Sequence, residues 1–212
     1  MNNYDRYANS VEFKKHSRWS IKVESCHEDL EHIGTGRSAC VFKIKNTNQV
    51  IKVFPRHFKH IAREEADIYK KLTHIRYFPQ IHANGANYIV MDFIEGYTLF
   101  ECLNKGILIK EEQVRKIDEV LHLARKTGLN PSDIHLRNIF VTTDDKIKLI
   151  DVARFKQKKD CTMWNDLKMA YFRFYLKPYF PRRIPKLILN VIALLYKKEL
   201  IHVRSDKNRV CE

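Results

Sequence analysis

Residues 132–138 read SDIHLRN and set a carboxylate, Asp133, five positions before an amide, Asn138. A second carboxylate, Asp151, closes the apolar run KIKLID. Carboxylate and amide oxygens are hard donors of the kind Mg²⁺ prefers, alongside phosphate oxygens and water. Upstream, residues 33–41 read IGTGRSACV, with Gly34 and Gly36 spaced G-x-G and Ala39 where a third glycine would stand. Residues without bulky side chains let backbone N–H groups approach phosphate closely, although a plain glycine hairpin has the same appearance. Lys52 lies among Val50, Ile51, Val53 and Phe54. On the inner face of a strand such a lysine is costly unless paired; on an edge strand it reaches solvent. The next segment supplies a partner. Glu65 shares a helical face with Tyr69 at +4 and Leu72 at +7, whereas Glu64 points to solvent.

The elements that must position these groups are legible from periodicity. Residues 1–20 read as a polar lead-in anchored by Val11, Phe13 and Trp19. From 21 to 54 the pattern is β-rich, with NTNQ as a hairpin turn. Residues 58–73 have helical spacing, and strand signals return at FPQIHANG and NYIVMDFI. After residue 98 two amphipathic helices are expected, TLFECLNKG and EEQVRKIDEVLHLARKTG, with Gly106 and Gly128 as their stops. The hairpin NIFVT–TDD–KIKLID follows. Residues 163–200 are expected to be mostly helical with a Pro-punctuated middle. The result is an α+β chain, β-rich to about residue 95 and helical beyond it, with the seam near DFIEGYT.

NPSD at 130–133 also has the form of a helix start, with Asn130 as cap and Pro131 at the first position. The strand NIFVT begins by residue 138 or 139, which leaves barely one turn. A constrained loop fits better, and it brings Asp133, Asn138 and Asp151 to adjacent ends of one β-ribbon.

Composition bounds the class. The chain has 212 residues, 44% hydrophobic and 30% charged, enough to bury a core. A glycine loop followed by a strand rather than a helix argues against a Walker P-loop and a dinucleotide fingerprint. Five cysteines, Cys26, Cys40, Cys102, Cys161 and Cys211, with no C-x-x-C pair, argue against a disulfide framework or zinc site and favour a reducing cytoplasm. No secretory h-region or transmembrane segment is visible. The formal net charge of +14 favours anionic partners: nucleotide, nucleic acid, an acidic protein or a membrane surface. Residues 171–186, YFRFYLKPYFPRRIPK, interleave aromatic and basic residues without an acid. That composition suits RNA or a ribosome; with LILNVIALLY (187–196) it suits a membrane interface. The favoured expectation is a helical lobe with its aromatics inside and 187–196 as a buried helix.

Taken in order, glycine loop, strand Lys, helix Glu, loop Asp-x4-Asn and strand-end Asp make the chain resemble the protein kinase-like superfamily over roughly residues 25–170. Its shortness and its loop look most like small bacterial serine/threonine kinases, with affinities to RIO and aminoglycoside-type kinases. The resemblance implies a bilobal fold: a 1–20 extension, an N-lobe over 21–95 and a reduced helical C-lobe over 96–212. It implies ATP and Mg²⁺ as cofactors and transfer of the γ-phosphate to a Ser or Thr hydroxyl of a protein. Ile33, Gly34, Thr35, Gly36, Arg37, Ser38, Ala39, Cys40 and Val41 would cover the phosphates. Lys52 would hold the α- and β-phosphates and pair with Glu65. Met91 would be the gatekeeper, and Asp92, Phe93 and Ile94 the hinge that receives adenine. Asp133 would accept the hydroxyl proton, Asn138 and Asp151 would bind Mg²⁺, and Asp166 would anchor the catalytic loop.

The chain departs from the family pattern at several points. Pro131-Ser132-Asp133 stands for His-Arg-Asp, so no arginine is present to read a phosphorylated loop. His135 replaces a lysine, as in aminoglycoside-type kinases. Asp151-Val152-Ala153 stands for Asp-Phe-Gly, and no Ala-Pro-Glu follows. These differences keep open a small-molecule kinase and a non-catalytic ATP- or RNA-binding module.

Overall fold

The computed structural model describes residues 3–14, 21–159 and 161–198. Strands β3 (Leu30–Thr35), β4 (Cys40–Ile44), β5 (Gln49–Val53), β6 (Ile81–Asn84) and β7 (Tyr88–Asp92) form one antiparallel sheet in the order β3-β4-β5-β7-β6. Alternate residues of its central strands serve two cores. Ile51, Val53, Tyr88 and Val90 face one cluster, and Val50, Ile89 and Met91 face the other. This is the period of two expected of a pleated strand covered on both faces.

The outer cover was not foreseen. Residues 3–10, read as a polar lead-in, form helix α1 (Asn3–Ser10). Ala8 is buried in the outer core with Tyr4 and Tyr7 packed beside it, and hydrogen bonds add to the hold: Tyr4 Oη donates to Gln49 Oε1 (2.9 Å), Tyr7 Oη donates to Asp29 Oδ2 (3.0 Å), and Asp5 Oδ1 accepts from Tyr88 Oη (3.0 Å). Val11 is buried, and Phe13, in the two-residue strand β1 (Glu12–Phe13), is partly buried beside it. Trp19 lies outside the described residues. Strand β2 (Val23–Ser25) pairs with β1 as a separate two-stranded sheet and does not join the large one.

The inner cover is α2 (Lys59–Leu72), which turns Ala62, Glu65, Ala66, Ile68, Tyr69 and Leu72 inward and leaves Glu64 exposed. The same core continues through Phe78, Ile117, Leu121, Leu149 and Phe155, so it spans both halves of the chain.

The helical half opens with an element the sequence reading lacked: β8 (Gly96–Thr98), which makes the expected hairpin β9 (Ile139–Thr142)–β10 (Ile147–Leu149) into a three-stranded sheet. The close approach requires glycine, since a Cβ on Gly96 would stand 2.2 Å from the Val141 carbonyl oxygen. Thr98 then caps α3 (Leu99–Lys105) in a reciprocal box with Glu101. Gly106 and Gly128, both at φ 77°, follow α3 and α4 (Glu111–Lys126) as left-handed stops. Strand β10 ends at Leu149, so Asp151 lies two residues beyond the strand rather than at its end.

The last part contains α5 (Met163–Ala170), a π-helical turn over Tyr171–Tyr175, and α6 (Lys186–Lys197). Here the burial expectation fails. Leu189 is buried against Phe100 and Ile184, but most of the apolar residues of α6 are exposed, as are Phe174 and Tyr179 before it. A uniformly apolar run carries no signal about which of its faces meets the core. No described helix is long and apolar enough to cross a membrane.

Candidate active site

Lys52 sits on β5 between Val41 of β4 and Ile89 of β7. Its Nζ donates to both carboxylate oxygens of Glu65, at 2.7 and 2.8 Å, and to Asp151 Oδ1 at 3.3 Å. Glu65 has no solvent exposure. An isolated buried charge would cost several kcal/mol, and close bidentate pairing is what offsets that cost. Burial alone would lower the Lys52 pKa; Glu65 and Asp151 reverse the direction and push it up. Lys52 holds the Asp151 carboxyl below its usual range against the opposing effect of burial. Three elements meet here: a strand, a helix and the segment after β10.

Tyr69, read as a core residue, has a further part. Its hydroxyl accepts the Asp151 backbone N–H at 3.2 Å, one helical turn beyond Glu65. The +4 spacing from Glu65 carried that signal.

Residues 129–137 contain no helix, as the spacing argument required. Asn130 N–H bonds the Phe155 carbonyl at 2.8 Å, and its Nδ2 bonds those of Gln157 (3.1 Å) and Lys159 (3.2 Å). The residue therefore ties the loop to the segment after Asp151 rather than capping a helix. Ser132, fully buried, donates to the Asn130 carbonyl at 2.9 Å. Asn138 Nδ2 donates to the Asp133 carbonyl at 3.1 Å, and Asn138 C=O accepts Ile150 N–H at 2.9 Å. With its amide nitrogen committed, Asn138 has its side-chain oxygen left to offer.

Four non-glycine residues have positive φ: Asn46, Asp133, Asp145 and Asp151. Asn46 and Asp145 lie in the tight turns of hairpins. Asp133 (61°) and Asp151 (59°) do not. Left-handed backbone costs about 1 kcal/mol or more at a non-glycine residue and persists where surrounding contacts over-determine it. Both carboxylates are thus held in place by backbone conformation as well as by contacts. Arg154 Nε stands 3.3 Å from Asp133 Oδ2, a partner the sequence reading did not name. Burial lowers the His135 pKa; Asp133 and Asp151 oppose this, while the Arg137 and Arg37 charges reinforce it.

The glycine segment is a hairpin. Gly34 and Thr35 end β3, Gly36 N–H closes the turn on the Ala39 carbonyl at 2.8 Å, and Cys40 and Val41 begin β4. Ile33 falls at a register shift and is exposed. Neither Gly34 nor Gly36 has positive φ, and a Cβ on Gly34 would meet nothing within 4 Å. Folding alone does not demand glycine at 34, whereas close approach by a ligand would. The charge of Arg37, at the tip of this hairpin, acts on both Asp151 and His135.

Met91, in β7 opposite Val50, is buried. Asp92 turns its carboxylate back on β6, accepting Gln80 N–H at 2.9 Å and meeting His82 Nε2 at 2.7 Å. Phe93 N–H is already bonded to the Asn48 carbonyl at 2.9 Å, and its ring lies under Lys43 Nζ. Of the expected adenine contacts, the Phe93 N–H is therefore committed to the protein. Asp166 does not reach the loop by any described hydrogen bond; its carboxylate meets Thr162 and Tyr196 instead, joining α5 to α6.

The oxygens of Asp151 and Asn138 suit a hard divalent cation. Among the described residues no cluster of three His, Cys, Asp or Glu could hold a metal alone. One carboxylate and one amide match an ion that keeps water and phosphate oxygens in its shell.

A family model for the protein kinase domain matches residues 27–178. The chain is 45% identical over 194 residues to a Bacillus subtilis (strain 168) protein named "Putative serine/threonine-protein kinase YrzF", covering 91% of this chain and 90% of that protein. It is 28% identical over 172 residues to a probable serine/threonine-protein kinase of Clostridium acetobutylicum, covering 73% of this chain and 26% of that protein. It is 27% identical over 183 residues to the Mus musculus serine/threonine-protein kinase Nek10, covering 72% of this chain and 16% of that protein. The match spans the glycine hairpin, the Lys52–Glu65 pair, the 130–137 loop and Asp151 alike, and the chain belongs to the protein kinase domain family.

Proposed function

We propose that this chain transfers the γ-phosphate of ATP to a Ser or Thr hydroxyl of a protein, with Mg²⁺ as the divalent cation. The observation that carries this is the convergence of Lys52, Glu65 and Asp151, from three distant segments, next to Asp133 and Asn138. The family uses ATP with a divalent cation, and the names of the relatives point to Ser/Thr as acceptor.

Phosphoryl transfer needs little covalent chemistry from the protein; positioning and charge neutralisation supply most of it. In this reading Lys52, aimed by Glu65, meets the phosphate charge. Asp151 and Asn138 would hold Mg²⁺, which neutralises charge on the phosphate oxygens when bound. Asp133 orients the acceptor hydroxyl and takes its proton. The 33–41 hairpin lies over the phosphates, and Ile94 remains as a hinge residue for adenine.

Gly34→Val is the test of the hairpin. The added side chain enters open space, so stability should stay within about 0.5 kcal/mol. KM for ATP should rise at least about tenfold, the equivalent of one lost charge-assisted hydrogen bond. Unchanged steady-state KM would remove the hairpin from the ATP site.

The transfer itself is tested with Mg²⁺ and γ-labelled ATP, using cell-extract proteins as one acceptor set and hydroxylated small molecules, aminoglycosides included, as another. Phosphoserine or phosphothreonine on protein is expected. Asp151→Asn, which keeps a residue suited to φ 59°, should lower labelling at least about a hundredfold, as for loss of a preorganised charge contact. The shortness of the link from Asp151 to α5, which starts at Met163, favours the small-molecule alternative. Label on small molecules alone would replace the protein acceptor, and no label in either set would end the transferase reading.

A further inference from the structure

Among the described residues, helix α6 is docked by one face and exposed on the other. Leu189 packs against Phe100 and Ile184, and Asn190 Oδ1 accepts from Arg137 Nη2 at 2.7 Å. On the opposite face Leu187 is 74% exposed, Ile188 49%, Val191 45%, Ile192 47% and Leu194 52%. Positions 187, 191 and 194, with 188 and 192 beside them, form a continuous stripe at helical spacing. Exposed aliphatic side chains in such a row mark a covered surface in the working molecule rather than ordinary scatter.

The surroundings say what covers it. From Arg173 to Lys198 there is no Asp or Glu, while Arg173, Lys177, Arg182, Arg183, Lys186, Lys197 and Lys198 are basic; Asp166, which meets Tyr196, and Glu199 bracket the stretch. Lys177, Arg182 and Lys186, on the approach to the helix, are exposed, and Lys198 follows its end. Tyr179, 78% exposed, stands on the same approach. A second copy of the chain would bring the same positive charge to the contact, and the net charge of +14 opposes that association. The stripe is aliphatic, with none of the aromatic anchors that dominate protein–protein hot spots. Apolar stripe, basic flanks and an aromatic at the margin are the three features of a helix lying in an anionic membrane interface. At 12 residues the helix is about 18 Å long, against a hydrocarbon core of about 30 Å, so it lies in the plane and does not cross.

We infer that the α6 face and its basic approach form a docking surface for an anionic lipid bilayer. The stripe enters the boundary between headgroups and chains, the lysines and arginines meet the lipid phosphates, and Arg137 links the docked helix to the loop that carries Asp133. The inference does not depend on the phosphoacceptor.

The test is sedimentation of the full chain with vesicles of phosphatidylcholine alone or mixed with phosphatidylglycerol. Binding is expected only to the mixed vesicles, and it should weaken as salt rises. The combined variant Leu187→Gln, Val191→Gln, Ile192→Gln should lose at least about tenfold in partition, because burying one such side chain is already worth about that factor. Its thermal unfolding and its labelling of a soluble acceptor should match the parent. The variant Lys177→Gln, Arg182→Gln, Lys186→Gln keeps the stripe and should need lower salt to bind. Absence of binding to mixed vesicles, equal binding by the Leu187 combination and the parent, or a parent dimer that this combination converts to monomer would each overturn the inference.

Discussion

Asp133→Asn is expected to slow phosphoryl transfer by roughly 10²–10⁴-fold, the range for loss of a positioned general base, while the chain folds and binds ATP as before. The substitution is chosen for the backbone. Asp133 has φ 61°, and asparagine tolerates left-handed conformation, whereas alanine would add about 1–2 kcal/mol of strain. The Asn138 amide bonds the main-chain carbonyl of residue 133 and is unaffected by the exchange. What is lost is the charge. Its pairing with Arg154 is partly exposed, and such pairs contribute at most about 1 kcal/mol, so unfolding should move little. Single-turnover rates at saturating ATP measure the effect. The His135 titration followed by NMR provides a second readout: Asp133 raises that pKa, so the variant should move it further down. A variant with parental rate would remove Asp133 from the chemistry.

Lys52→Met should have the larger structural consequence. It leaves Glu65 without solvent and without its cation. Removing one partner of a buried pair costs about 3–5 kcal/mol, and activity should fall below detection because the charge facing the phosphates is gone. The pH dependence separates this cause from simple loss of packing. Burial pushes the Glu65 carboxyl up, and Lys52 is the charge that opposes the rise. Without Lys52 the folded-state pKa stands well above the unfolded value. The folded variant then binds the proton more tightly and gains stability as pH falls from the folded pKa toward the unfolded one. In the parent, Asp151 has a depressed pKa because of Lys52, so its stabilising share is present at neutral pH and fades as pH falls through that pKa. The Asp151 share is lost only below the ordinary carboxylate pKa, so between pH 8 and pH 5 the Glu65 effect is the one that narrows the gap between variant and parent. Denaturant unfolding at pH 8 and pH 5 should show the deficit shrinking; an equal deficit at both would exclude the buried carboxylate as its cause.

Legibility followed the range of the interactions involved. The α2 register was readable because Glu65, Tyr69 and Leu72 repeat along one helix face. The loop at 130–137 was readable because β9 left no room for a helix. Helix α1 was missed although Tyr4, Tyr7, Ala8 and Val11 carry helical spacing. Its anchors are tyrosine hydroxyls bonded to Gln49 and Asp29, and a count of apolar positions does not weigh those. Strand β8 was missed because three residues carry too little periodicity; its partner Val141 lies more than forty residues on.

By itself the sequence set out, in order, the groups proposed for the chemistry: a glycine hairpin, Lys52, Glu65, Asp133, Asn138 and Asp151. Their order along the chain is what carries the resemblance to the protein kinase family. Only the tertiary structure decided how they are held. The left-handed backbone at Asp133 and Asp151, the Tyr69 hydroxyl on Asp151, the turning of Asp166 toward Tyr196 and the approach of Arg154 all depend on segments far apart in the chain. The same holds for α6. Leu187, Ile188 and Leu189 are all apolar in sequence, and only the fold, by offering Phe100 and Ile184 to Leu189, decides which face is buried and which is exposed.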